Sequence, residues 1–152
     1  MLLFNFRTFL IIYLSCCLAS CVSLKKSVFT QPGANINSLI FLGKYEIPYA
    51  LQFKNTTVGG LSGIDYDVAN NRYYLISDDR SAIDPARYYT AAIFLTQQGI
   101  DSVHITGVKN MLQPNGKLYP NNKQDPYHTP DPEALRYNPL SKKLVWSSEG
   151  DG

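Results

Sequence analysis

The sequence predicts an all-β protein that forms part of a β-propeller. Residues 60–79 contain two short runs rich in β-branched and aromatic residues on either side of the turn-forming segment 68–71, which is the pattern of a β-hairpin. Residues 133–150 repeat this pattern and align without a gap with residues 62–79, at a shift of 71 positions (133 − 62 = 71). A hairpin that recurs in register indicates a repeat architecture, and a propeller of four-stranded blades is the leading candidate.

The repeat also sets an expectation for size. A blade takes about 40–45 residues and closure takes about four to eight blades. Residues 21–152 at a 71-residue period hold fewer than two blades. We therefore expect the chain to be the N-terminal part of a larger propeller. The alternative at this point is that two unrelated hairpins look alike because all hairpins alternate.

Residues 1–20 have the layout of a secretory signal peptide, with Arg7 ahead of the short apolar run 9–14. The leader ends with Leu-Ala-Ser before Cys21, which resembles a bacterial lipobox, where cleavage precedes a cysteine that becomes diacylated. Because Cys21 is the only cysteine that would remain after cleavage, it is the expected lipidation site. The alternative is an ordinary signal peptide with Cys21 as a bystander.

Residues 21–38 lack apolar periodicity and are rich in turn formers, so we expect a lipidated N-terminus and a flexible tether. This predicts a bacterial envelope protein held on a membrane through Cys21. No acid follows Cys21, which favours the outer membrane in a two-membrane bacterium. Residues 21–152 carry 13 Lys and Arg (14 less Arg7) against 12 Asp and Glu, and this balance argues against nucleic-acid binding.

The strands of the domain can be placed in order. Residues 38–47 are apolar and β-branched and stop at Pro48, which predicts a first strand. Residues 60–109 are expected to form one complete four-stranded blade. Its third strand is predicted at 87–96 and its fourth at 103–109.

Residues 110–130 are rich in proline and asparagine and lack periodicity, so we expect a long functional or disordered loop. The second hairpin, residues 133–149, should begin the next blade and stack face to face on the first. The apolar residues expected to point inward are Leu61, Ile64, Leu75, Ile93, Leu95, Leu135, Leu144 and Trp146.

Four short motifs in the two hairpins resemble those of a known family. They are GGLSGI at 59–64, ISDD at 76–79, DPEAL at 131–135 and SSEG at 147–150. As a set they resemble the phytase-like domain that is described as having esterase-like activity, over roughly residues 39–152. The resemblance implies a propeller of about six blades, related in fold to the calcium-dependent β-propeller phytases.

Acidic residues at the hairpin boundaries are the candidates for a metal site. Propeller sites form at one end of the channel, and Ca²⁺ takes about six to eight oxygen ligands. Glu133 and Glu149 are the better candidates, also for catalysis, because each lies against an apolar strand where an unpaired carboxylate is costly. The alternative is that these acids are solvated turn residues. The full set is Asp78, Asp79, Asp131, Glu133 and Glu149, with Asp151 at the same boundary.

Two arginines near these acids are candidates for binding a substrate phosphate. Arg80 and Arg87 each offer a planar, bidentate set of donors. The alternative is that they pair with Asp79 and Asp84. No Gly-x-Ser-x-Gly elbow occurs, so the sequence does not support a serine hydrolase.

The leading hypothesis is therefore a phytase-like, metal-dependent phosphoesterase of the cell envelope. Its expected cofactor is Ca²⁺, and its expected substrate is a small phosphorylated molecule. The rival is a non-catalytic envelope propeller that binds a ligand or a protein partner, since a fold does not determine its function. A third hypothesis is that this stretch of chain has no activity by itself.

Overall fold

The computed structural model describes Ser38 and residues 40–149. The predictions for the leader, for Cys21, for the tether up to residue 37 and for Asp151 concern positions outside the described residues. The described part is all-β, without an α-helix, and therefore without a helix long and apolar enough to cross a membrane. Its strands are β1 Gln52–Phe53, β2 Thr56–Thr57, β3 Leu61–Asp67, β4 Arg72–Ser77, β5 Arg87–Thr96, β6 Gly99–Asn110, β7 Pro132–Asn138 and β8 Lys143–Ser148.

The predicted blade is confirmed. Strands β3 to β6 form one antiparallel four-stranded sheet in chain order. The third strand has the bounds that the sequence predicts, whereas the fourth begins at Gly99 rather than at residue 103. The connection is shorter than expected because only Gln97 and Gln98 form the turn, and Gly99 adopts a φ of 126° that other residues rarely reach.

The second hairpin reproduces the first in three dimensions at the predicted shift of 71 residues. The strands β7 and β8 begin and end 71 positions after β3 and β4. A β-bulge between Leu61 and Gly63 recurs between Pro132 and Ala134. Not every hairpin shares its strand bounds and its bulge position with another, whereas all hairpins alternate. The internal repeat is therefore confirmed.

The turns of the two hairpins also share their local chemistry. Asp67 Oδ1 accepts from the N–H groups two and three residues ahead, and Asn138 Oδ1 does the same. Each turn ends on a residue in the left-handed region, Asn71 at φ 46° and Lys142 at φ 54°. The predicted hairpin turn is thus correct, although it is a single 3₁₀ turn, Val68–Asn70, followed by Asn71.

The second hairpin packs on the first, with β7 against β3 and β4. Gly63 permits this close approach, since a Cβ there would lie 3.0 Å from Ala134 Cα. The two strands run parallel to each other across this contact, because Tyr137 N donates to Asp65 Oδ2 while Gly63 faces Ala134. The ends of equivalent strands therefore meet at the same edges of the molecule.

The core consists of two clusters on the two faces of the β3–β6 sheet. One contains Val58, Leu75, Tyr89 and Ala91 and is covered by the segment 47–58. The other joins the sheet to the second hairpin, and it contains Ile76, Ala86, Met111 and Leu135.

Of the apolar residues predicted to point inward, Leu75 and Leu135 are buried, and Leu61, Ile93 and Leu144 are half-buried. The prediction is wrong for Ile64, Leu95 and Trp146, which are 49%, 64% and 37% exposed.

Each of these three errors has a structural reason. Ile64 pairs with Leu75 and lies on the face that β7 does not cover, whereas Leu135, at the equivalent position of the second hairpin, faces the β3–β6 sheet. Leu95 follows a second bulge at the end of β5, past the last residue paired with β4. Trp146 lies on β8, which pairs only with β7 among the described residues.

The predicted first strand is also wrong. Residues 40–48 form no strand in the described structure, and the side chains of Ile40, Phe41 and Leu42 are exposed. An apolar run becomes a strand only when its backbone groups pair with a sheet edge. In the described part of the chain this segment lies against the β5–β6 turn, with Leu42 O beside Gly99, but does not pair with a strand. The short β1–β2 hairpin, which the sequence analysis missed, precedes the blade instead.

Candidate functional site

The candidate site lies at the edge of the molecule where the strands β4 and β8 end and β3 and β7 begin. Backbone hydrogen bonds close this edge in the same way in both repeats. Asp78 N donates to Gly60 O at 2.7 Å, and Glu149 N donates to Asp131 O at 3.0 Å. The acids that follow β4 and β8 are therefore held beside the residues that precede β3 and β7.

Three predicted metal ligands converge at this edge. Asp131, Glu133 and Glu149 each offer a carboxylate oxygen, and the three oxygens lie within 4.8 Å of one another. Asp131 and Glu133 are half-buried and Glu149 is exposed. We call this group the carboxylate cluster. Three oxygens of this kind suit a hard cation such as Ca²⁺, because hard cations prefer oxygen ligands.

The cluster changes the acidity of its central member. Partial burial raises the pKa of Glu133, and the neighbouring carboxylates of Glu149, Asp131 and Asp78 raise it further. These like charges make the ionised form of Glu133 unfavourable, and a bound cation would remove the penalty. The electrostatics thus agree with the donor chemistry. They also place Asp78 near enough to act on Glu133, as a fourth acid at the same edge.

Two serines hold the second hairpin in position for the cluster, and the sequence analysis missed their role. Ser148 Oγ accepts from Asp131 N at 3.0 Å, and Ser62 Oγ donates to Pro132 O at 2.9 Å. The available signal was the repeat itself, since Ser148 corresponds to Ser77, whose Oγ donates to Gly59 O at 2.9 Å.

The structure places Asp79 away from the cluster, in a network of its own. Its carboxylate accepts from the N–H groups of Ala82, Ile83 and Asp84 and from Arg87 Nη1 at 2.8 Å. Burial alone would raise the pKa of Asp79, but the hydrogen bonds from Arg87 and from these three N–H groups outweigh it and lower the pKa. Asp79 therefore organises the loop after β4.

Arg87 belongs to the same network, and it makes the pairing with Asp79 and Asp84 that the sequence left open. Its side chain is only 2% exposed, and its Nη2 atom donates to Thr57 O at 2.7 Å. Nε donates to Tyr89 Oη at 2.6 Å. Burial disfavours the charged guanidinium, but Asp79 and Tyr89 outweigh this and keep its pKa raised.

Arg80 lies at the rim of the carboxylate cluster. Its Nη1 atom is 3.8 Å from Asp131 Oδ2, and Nη2 donates to Pro126 O at 3.4 Å. Nε is buried and has no hydrogen-bond partner among the described residues. Of the two predicted phosphate-binding arginines, Arg80 is the one that retains donors next to the cluster.

A groove of about 660 Å³ opens beside Asp78 at the same edge. Its walls are mainly apolar, and Tyr45, Tyr49 and Ile83 contribute to them. The two histidines do not line this groove: His104 packs on Phe94, and His128 contacts Asp125.

The repeated hairpins, the four-stranded sheet and the acids at one edge define a protein of the β-propeller class with a candidate metal site. Comparison with known families gives a more specific assignment. The family model described as "Phytase-like: Esterase-like activity of phytase" matches residues 56–151, so the chain belongs to the phytase-like family. No curated protein and no solved structure matches the chain.

Proposed function

We propose that this chain carries part of the active site of a metal-dependent phosphoesterase, with Ca²⁺ as the metal. The observation that carries the proposal is the convergence of Asp131, Glu133 and Glu149 at the strand ends of the second repeat. Membership of the phytase-like family supports a hydrolytic role at the level of the family.

The residues divide into a metal-binding group and a substrate-binding residue. Asp131, Glu133 and Glu149 would hold the cation, with Asp78 next to them. When bound, Ca²⁺ would polarise a phosphoryl oxygen or lower the pKa of a water molecule. Arg80 would donate to the phosphate oxygens through its Nη groups, because its side chain is partly exposed at the rim of the cluster. Arg87 is left out of this role because its donors are occupied in the buried network.

Glu133 and Glu149 remain the candidates for acid–base chemistry. Glu133 is half-buried within the cluster, where a carboxylate oxygen that does not bind the cation could accept a proton. Glu149 is exposed and lies within reach of the same oxygen positions.

The number of ligands limits the affinity that we expect. Three carboxylates offer at most six oxygens, and that only if every one binds bidentately, whereas Ca²⁺ takes about six to eight. We therefore expect weak binding, in the range of about 10⁻⁴–10⁻³ M that open sites of this kind show.

The proposed location is the bacterial cell envelope, with a lipid on Cys21 as the membrane anchor. This rests on the leader and the lipobox-like sequence before Cys21. Metabolic labelling with a fatty acid, followed by detergent partitioning, tests it. A Cys21→Ser chain should lose the label and either become soluble or remain an uncleaved precursor, and equal labelling of both chains would refute the anchor.

A non-catalytic propeller that binds a ligand is the second candidate. The groove beside Asp78 favours it, because a mainly apolar cleft of about 660 Å³ can hold a small molecule without any reaction.

Calcium-dependent release of phosphate from a generic phosphomonoester distinguishes the two functions. Catalysis predicts slow release that requires calcium and is lost in Glu133→Gln, while Glu46→Gln retains it, because Glu46 is an exposed acid paired with Lys44. Calcium binding without any release would favour the ligand-binding function.

A further inference from the structure

A second exposed feature lies at the opposite edge of the molecule from the carboxylate cluster. Side chains from the segment before the blade and from the β5–β6 hairpin line a shallow, mainly apolar cavity of about 390 Å³. We call these residues the apolar tip, and they are Ile40, Phe41, Leu42, Leu95 and Ile100. Phe41 is 81% exposed and Leu95 is 64% exposed, which is costly in water for side chains of this size.

Backbone contacts between the two segments hold the tip together. Leu42 O lies against the β5–β6 turn, so closely that a Cβ at Gly99 would be 2.5 Å from it. Gly43 meets the same turn from the other side, because its own Cβ would lie 3.6 Å from Gln98 O. The side chains are thus displayed outward from a fixed backbone contact.

The position of the tip is set by β5. Arg87, at the start of this strand, joins the network beside the candidate site, and Leu95 lies near the end of the strand. Eight residue steps of about 3.3 Å separate them by roughly 26 Å. Val68 and Leu140, in the turns of the two hairpins, lie at the same edge as the tip and are 78% and 95% exposed.

The charged groups at this edge have a small excess of cations. Arg72 and Lys143 flank the hairpin turns, with Lys142 and Lys44 alongside. The acids at the same edge are Asp67, which is buried in the first hairpin turn, Asp101, and Glu46, which is paired with Lys44. Apolar side chains surrounded by a small excess of cations suit a lipid surface, where the apolar groups insert and the cations meet headgroups.

The length of chain ahead of the tip also favours a contact with a lipid surface. Only 17 positions separate Cys21 from Ser38 (38 − 21 = 17). Such a segment spans at most about 60 Å when fully extended and about 23 Å on average as a random coil. A lipid on Cys21 would therefore keep the tip, which follows directly in the chain, within reach of the bilayer.

We propose that the apolar tip docks on a lipid bilayer. Docking by this edge turns the carboxylate cluster away from the membrane and towards the solvent. With the lipid anchor proposed on Cys21, docking would orient the domain on the membrane. The contact itself needs no lipid on Cys21, so the docking and the lipidation can be refuted separately.

Sedimentation with lipid vesicles tests the docking directly. The protein is a chain beginning at residue 22, which retains the whole compact unit Ile40–Gly152 and lacks both leader and lipidation site. We expect it to bind phosphatidylcholine vesicles, and to bind more tightly when phosphatidylglycerol is included. Phe41→Ser and Leu95→Ser should each weaken binding about tenfold or more, as the loss of one inserted apolar side chain predicts.

The matched control is Tyr127→Ser, which removes a side chain that is 73% exposed, near Arg80 at the candidate-site edge. It should bind vesicles like the parent chain. Absence of binding to both kinds of vesicle by a folded parent chain would overturn the proposal. It would also be overturned if the parent chain formed a dimer that Phe41→Ser dissociates, because a second copy would then cover the tip. Thermal unfolding of each variant reports whether it is folded.

Discussion

The two hairpins share one backbone frame, but only the second carries the carboxylate cluster. At the shift of 71 residues, Gly60 corresponds to Asp131, Ser62 to Glu133, and Asp78 to Glu149. The bulges, turn caps and edge hydrogen bonds are the same in both. The first hairpin therefore has one acid at the corner where the second has three.

The difference shows that one backbone frame can use its acids in two ways, to stabilise a loop in the first repeat and to form a candidate metal site in the second. Gly60 has a φ of 55°, which favours glycine, and a Cβ there would overlap the carboxylate of Asp78, so a second acid at the first corner would require Asp78 to move. The first repeat uses its next acid, Asp79, to bind Arg87 and to hold the loop that leads to β5. The second repeat leaves its acids close together, with Arg80 beside Asp131 as the nearby cation.

The largest effect should come from breaking the Asp79–Arg87 pair of the first repeat. Arg87→Ala leaves a carboxylate that is only 9% exposed without its cation, and should cost about 3–5 kcal/mol of unfolding free energy. Urea unfolding measures this. Lys44→Ala, which removes an exposed pair, should cost about 0–1 kcal/mol, and equal losses would show that burial does not matter here.

The same pair predicts a pH dependence. The pKa of Asp79 is lower in the folded chain than its ordinary value, so the pair stabilises the fold above the ordinary pKa of 3.8. This stability is lost as the pH falls through the lowered pKa. Arg87→Ala should therefore differ most from the parent chain near neutral pH and least in acid, and a pH-independent difference would contradict the assignment.

The contact between the repeats should be next in size. Leu135 is 2% exposed and joins the second hairpin to the sheet, so Leu135→Ala should cost about 2–5 kcal/mol. Val145, on the same hairpin, is 62% exposed, and Val145→Ala should change stability by about 0.5 kcal/mol or less. If the two variants unfold alike, the hairpins do not pack as described.

The turn caps give a smaller effect that compares the two repeats directly. Asp67 caps the first turn from a position that is 2% exposed and also accepts from Asn70 Nδ2 at 2.6 Å, while Asn138 caps the second turn from an exposed position. Asp67→Ala should cost about 1–2 kcal/mol and Asn138→Ala about 0.5–1 kcal/mol. Denaturant titrations measure both, and a larger loss at Asn138 would contradict the difference in burial.

Much of the architecture could be predicted from the sequence, because the hairpins are local and repeated. The turn at Asn71 and the bounds of β5 follow from patterns within a short window. The shift of 71 residues follows from comparing two such windows. The unpaired segment 40–48 could not be predicted, since its strand-like composition says nothing about whether a sheet edge is available. The position of Ile64 was missed because its exposure depends on which face of the sheet β7 covers, and the alternation within one strand does not show that.

The candidate site was predictable in part. Asp131, Glu133 and Glu149 lie together because the hairpin geometry brings strand ends to one edge, and the sequence contains that geometry. The sequence does not show which acids are left unpaired. Asp78 and Asp79 are adjacent, yet only Asp78 faces Glu133, while Asp79 turns to an arginine eight positions away.

The position of Glu133 among like charges in a cation site predicts that calcium changes the relative stability of the parent chain and Glu133→Gln. Because the pKa of Glu133 is raised, its ionisation costs stability as the pH rises through that pKa. Without calcium, Glu133→Gln should therefore unfold at a higher temperature than the parent chain at neutral pH. Calcium should stabilise the parent chain selectively, because it binds the ionised carboxylates of the folded state.

The measurement is the unfolding temperature of the parent chain, Glu133→Gln and Glu46→Gln, with and without millimolar calcium at neutral pH. We expect calcium to raise the unfolding temperature of the parent chain and of Glu46→Gln, and to change that of Glu133→Gln little. If calcium acts equally on all three chains, or on none of them, the carboxylate cluster does not bind calcium.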